Sequence, residues 1–151
     1  MNVFRRSSAR SHRTSAFTLA EVVITTAIAA AVVGGSIYGY VMAATRAEWS
    51  AYSLAANALA MQRIEQARAA KWDPMGYPPA DELVATNFLP QINILDIPVT
   101  RSNVVYATNI TTILTIQTNP PLKMVRVDCY WQFMQRGLFT NSLVTYRAAD
   151  Q

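Results

Sequence analysis

Cysteine and histidine are nearly missing: Cys129 and His12 are the only ones among 151 residues. A lone cysteine excludes an intrachain disulfide. A lone histidine close to the N-terminus leaves no Cys/His metal cluster and no histidine-dependent triad elsewhere in the chain. No glycine-rich phosphate loop is present either. The chain is therefore not expected to be an enzyme, and no cofactor or metal is implied. Proline is absent between Phe17 and Trp72, so nothing in that stretch forces a helix to stop. Charge is also scarce there. Between Phe17 and Arg46 the only charged residue is Glu21.

What is present begins with a basic segment. Met1 to Ala16 carries Arg5, Arg6, Arg10 and Arg13. The formal charge of +4 thus gives a misleading first impression. Of 13 Lys and Arg, four lie in this segment, leaving nine against nine Asp and Glu in the remainder. A formally neutral remainder removes the basic-patch argument for nucleic acid, and no nucleic-acid partner is expected. Arginines ahead of an apolar run instead fit retention on the cytoplasmic side of a membrane, with the rest of the chain outside.

The run Phe17 to Thr45 exceeds the ~20 apolar residues needed to cross a bilayer. Ala51 to Ala70 follows, dense in good helix formers. One helix is predicted from about Phe17 to about Lys71, ~80 Å at 1.5 Å per residue, so half of it must project beyond a bilayer. In the projecting half, Leu54, Met61 and Ile64 fall near one side, with Trp72 in register if the helix reaches it. Trp49, Tyr52, Ala56 and Leu59 lie roughly opposite. One stripe is free to pack on the chain's own sheet and the other on neighbouring helices.

Asp73-Pro74-Met75-Gly76-Tyr77-Pro78-Pro79 ends the helix, and Asp81 to Leu89 reads as a loop or short helical turn. Strands are predicted over Ile92 to Val99, Val104 to Thr108 and Ile110 to Gln117, with a turn at Asn119-Pro120-Pro121. From Lys123 to Phe133 the period is two: Val125, Val127, Cys129, Trp131 and Phe133 alternate with Arg126, Asp128, Tyr130 and Gln132. Cys129 is thereby read as a small core residue. Gln135-Arg136-Gly137 turns the chain into a last strand, Phe139 to Tyr146. Helix first and strands after gives an α+β fold, an antiparallel sheet covered by the outer half of the helix. The segments are 1–16, 17–45, 46–72 and 73–151. Asn109-Ile110-Thr111 matches the N-glycosylation pattern, a tripeptide common by chance.

Glu21 is the outlier. A carboxylate in an apolar run costs roughly 2.5–3.5 kcal/mol at mid-bilayer, less near the surface. It invites a partner. The order of basic leader, small Ala16, Phe17, then Glu21 within Phe17-Thr18-Leu19-Ala20-Glu21-Val22-Val23-Ile24 resembles the class III signal of type IV pilins and type II secretion pseudopilins. That resemblance implies several things together. The fold would be the pilin fold. A prepilin peptidase would cut between Ala16 and Phe17, Ala16 standing where the family usually has glycine. Phe17 would be N-methylated. Glu21 would pair with a neighbouring subunit's N-terminus during assembly.

Partners would be that peptidase, other pilins or pseudopilins, an inner-membrane assembly platform and membrane lipid. The place would be the bacterial inner membrane, with the C-terminal domain in the periplasm, and then a pilus or pseudopilus. The segments Ala55 to Glu65, Val125 to Trp131 and Ser142 to Tyr146 are similar to I-type minor pseudopilins and related minor pilins. A minor type IV pilus or DNA-uptake subunit stays open within this class. So does, from another class, a single-pass anchored or secreted ligand-binding domain, which leaves Glu21 unexplained; snorkelling of Glu21 to the headgroups is the plain alternative to its assembly role. Gly34, Gly35 and Gly39 have the small-residue spacing of close helix contacts, and could alternatively allow local melting.

Overall fold

The computed structural model describes residues 17–95, 104–133 and 136–150. The leader, with Ala16, lies outside the described residues, as do the second half of the strand expected to reach Val99 and Gln135 of the last turn. Helix α1 runs Leu19–Ala69 without interruption, within two residues of its expected bounds. The chain divides between Ala43 and Ala44 into two units.

The first unit contributes the apolar part of α1. Its Val, Ile and Tyr side chains are all exposed, and an 18-residue window there is apolar enough to cross a membrane. The helix's polar side chains bond to their own backbone: Thr25 Oγ1 to the Glu21 carbonyl (2.7 Å), Thr26 Oγ1 to Val22 (2.7 Å) and Ser36 Oγ to Val32 (2.8 Å). A hydroxyl that donates to the i−4 carbonyl needs no water, so it is tolerated in hydrocarbon.

In the second unit a short antiparallel pair, β1 (Trp72–Asp73) and β2 (Ala80–Asp81), follows the helix. The Asp73 carboxylate accepts from the Met75 and Gly76 N–H groups (3.2 and 2.7 Å) and so shapes the proline-rich turn. A Cβ at Gly76 would collide with that carboxylate. A 3-10 turn, Ala85–Asn87, comes next.

Strands β3 (Gln91–Ile94), β4 (Tyr106–Thr118), β5 (Pro121–Gln132) and β6 (Leu138–Ala148) then form an antiparallel meander in sequence order. The two strands expected at Val104–Thr108 and Ile110–Gln117 are one, broken only by a bulge between Thr115 and Gln117. Gly137, at φ +126°, closes the β5–β6 hairpin in a conformation that only glycine adopts easily.

The inward face predicted for β5 is observed, with Val125, Val127, Cys129, Trp131 and Phe133 all buried, but Asp128 of the opposite set is buried as well. The inward set packs with Tyr52, Ala56, Ala60, Ile64 and Ala67 of the helix in one core. Small alanines at the contact let the helix lie close on the sheet. Aromatic rings fill one end, with Trp131 stacked on Tyr52 (6.0 Å between centroids) and on Phe139 (5.1 Å). At 100° per residue Ile64 falls 120° from Tyr52, on the flank of the packed face. It therefore joins that face, not the side of Leu54 and Met61 where its spacing had placed it. Leu54 and Met61 remain exposed.

Two cations stand at inward positions. Lys123 Nζ donates to both Asp81 oxygens (2.7 and 2.6 Å) and to the Leu83 carbonyl (2.8 Å), over the Trp72 ring. Arg63 donates to the Leu89 carbonyl (2.7 Å) and lies over Phe88. Burial lowers the Arg63 pKa from its ordinary value.

Candidate functional site

Of the residues singled out by sequence, Phe17 and Glu21 lie at the start of α1, while Ala16 lies outside the described residues. Phe17 is exposed and precedes the helix. Thr18 stands immediately before the first helical residue and acts as its N-cap. The Glu21 N–H donates to Thr18 Oγ1 (3.3 Å), while Glu21 Oε2 accepts from the Thr18 N–H and the Thr18 hydroxyl (2.9 Å each). This reciprocal arrangement is a capping box. It satisfies two amides that a helix start leaves without intrahelical partners. Sequence reasoning missed it, although the spacing Thr18-x-x-Glu21 was available as the signal.

The box changes what Glu21 can do. Both of its bonds fall on Oε2, leaving Oε1 with its lone pairs for a second donor. A carboxylate here also complements the positive end of the helix dipole. Glu21 thus has a local reason to be where it is, and a remaining acceptor directed by the cap.

Gly34, Gly35 and Gly39 lie inside the unbroken helix. A Cβ built at any of them would meet nothing within 4 Å among the described residues. Among the described residues, packing does not require their small size. All three are helical.

The folded unit contains less chemistry. Asn109 of the glycosylation tripeptide is buried in the middle of β4, opposite Cys129, so its amide is inaccessible to a glycosyl donor. Cys129 is fully buried, and burial pushes its thiol up to about 11. At neutral pH it is a protonated core residue. Asp150 accepts from the Trp72 N–H (2.8 Å) and from Arg147 (2.7 Å), and those bonds hold its carboxyl below the usual range. Arg147 also donates to the Ala67 carbonyl (2.8 Å) and to that of Ala70, capping the helix end from β6. No group of three or more His, Cys, Asp or Glu that could hold a metal occurs among the described residues.

Comparison with known proteins adds no family. Neither a family model, nor a curated protein, nor a solved structure matches this chain. What can be said of the candidate site rests on its own residues.

Proposed function

We propose that this chain is a pilin-like assembly subunit, processed by a prepilin peptidase between Ala16 and Phe17 and built into a pseudopilus or pilus through α1. The observation that carries the proposal is Glu21, the single charge in an apolar run that follows an arginine-rich leader, a small residue and Phe17. Cleavage there would create an amine at Phe17, four residues before the carboxylate. With Oε2 engaged by Thr18, the open Oε1 suits an amine brought by a second subunit. A charge carried from the membrane surface into a filament core needs such a partner, because an unpaired buried ion is strongly destabilising. The glycines, where an added Cβ would meet nothing among the described residues, and the exposed Leu54 and Met61 suit helix-to-helix contact in the same assembly. A minor pseudopilin of type II protein secretion is the specific reading, with a minor type IV pilus or DNA-uptake subunit as its near relative.

The capping box favours one reading from another class. If Glu21 serves only its own helix, the chain is a single-pass anchored domain whose outer part binds a ligand. N-terminal sequencing and intact mass, with and without a co-expressed prepilin peptidase, separate the two. A peptidase-dependent product beginning at Phe17 with one added methyl supports the pilin pathway. An uncut chain refutes it.

A further inference from the structure

Beyond the helix start, the structure offers a second place where a ligand of definite chemistry fits. At the aromatic end of the folded unit, Thr45, Arg46, Trp49, Phe133, Arg136 and Phe139 line a groove of about 210 Å³. Its floor is apolar: Phe133 is buried, and Phe139 packs edge-on against Trp49 (6.0 Å between centroids). Its rim carries two exposed guanidiniums, Arg46 and Arg136. Neither belongs to an ion pair among the described residues, and no carboxylate among them lines the groove. Such a groove accepts a group that is anionic at one end and greasy at the other.

Connectivity says which. Arg46 directly follows the apolar run and is the first charge after Glu21. If that run spans the bilayer, Arg46 and Trp49, within a helical turn of its end, fall in the headgroup layer. Tryptophan concentrates in that layer, and a planar guanidinium binds phosphate through paired hydrogen bonds. We infer that the groove between Arg46 and Arg136 binds the phosphate of an anionic phospholipid, with the upper acyl chain against Trp49 and Phe139. This rests on the membrane-spanning reading of α1 and extends it. The contact would make the chain's hold on the leaflet lipid-selective.

Trp49 makes the site readable. It is 38% exposed, whereas Trp72 and Trp131 are 3% and 1% exposed. Quenching by lipids brominated near the top of the acyl chain therefore reports chiefly on Trp49. The full chain is reconstituted into phosphatidylcholine vesicles containing either brominated phosphatidylglycerol or brominated phosphatidylcholine. The relative quenching gives the relative affinity at this position. Each cation near an anionic surface is worth roughly a fivefold preference, so about 25-fold is expected for the pair. The double variant Arg46→Gln/Arg136→Gln should bring the ratio to within about twofold of unity. Arg46→Lys/Arg136→Lys should keep most of it, which separates lost charge from a disturbed fold.

Millimolar inorganic phosphate should leave the quenching unchanged; displacement by it would mean a site for free anions and overturn the lipid assignment. Equal quenching by the two lipids in the wild type, or an undiminished preference in the Gln variant, would also overturn it. In both cases bilayer insertion would stand. No quenching by either lipid would instead remove the membrane reading itself, and this inference with it.

Discussion

Lys123 offers the sharpest test of how the folded unit is held together. Its side chain is 8% exposed, while its partner Asp81 is 42% exposed. Replacing Asp81 with Asn leaves a buried ammonium with a neutral amide in place of a two-point carboxylate contact. Removing one partner of a fully buried pair costs about 3–5 kcal/mol. An exposed pair is worth about 1 kcal/mol or less. The half-solvated carboxylate, together with the contacts that Lys123 keeps to the Leu83 carbonyl and the Trp72 ring, places Asp81→Asn between these limits, at about 2 kcal/mol. For a unit of this size that is a fall in Tm of roughly 8 °C.

Lys123→Met should cost about the same, because it forfeits the cation over Trp72 and leaves the Leu83 carbonyl unpaired. The double variant is the decisive measurement. If the two groups hold one another, it should cost about 2 kcal/mol, far short of the sum of the singles. Urea unfolding of the full chain in detergent micelles, followed by tryptophan fluorescence, gives all four corners of the cycle. Additive costs, or an Asp81→Asn variant within about 0.5 kcal/mol of wild type, would refute this account of the pair.

Three further outcomes are expected. Cys129 should react with thiol reagents at pH 8 roughly two orders of magnitude more slowly in the folded chain than in urea, as its thiol sits at about 11; equal rates would contradict its burial. Asp150 has a lowered carboxyl pKa, so its contribution to stability is present above the unfolded value and lost as pH falls through the folded one, below about pH 4. Acid titration of hydrogen exchange at the Trp72 amide, against Asp150→Asn, should show the two proteins converging there, and a constant difference down to pH 2 would argue against it. Glu21→Gln keeps an acceptor for Thr18 and loses the charge, so helix-start amides should exchange within about threefold of wild type while filament incorporation fails. Incorporation at wild-type levels would leave Glu21 as a cap alone.

Much of this was legible in the sequence because period and punctuation are local signals. The uninterrupted α1 followed from the missing prolines, and the buried face of β5 from strict alternation. The single strand β4 was not legible. Asn109 at its centre reads as a break, and only the fold shows it buried opposite Cys129. Nor were the buried roles of Lys123 and Arg63, which depend on carbonyls and rings that the sheet and the loops bring around them. The helix was half legible: two stripes could be read, but not which of them packs on the sheet, and Ile64 sits at a margin that packing decides. The Thr18–Glu21 cap was legible only as a four-residue spacing, which an isolated charge in an apolar run does not by itself signal.

The core joins the earliest and latest parts of the folded unit. Tyr52, Ala56 and Ile64 leave the ribosome well before the strands that cover them. The Trp72 amide waits for Asp150, and the helix carbonyls of Ala67 and Ala70 wait for Arg147. Contacts this distant in sequence form late. During synthesis the packing face of α1 stays open until β5 and β6 have emerged, so the nascent chain presents an uncovered apolar face until those strands are made. Whatever escorts it must shield that stripe until the last strand is made.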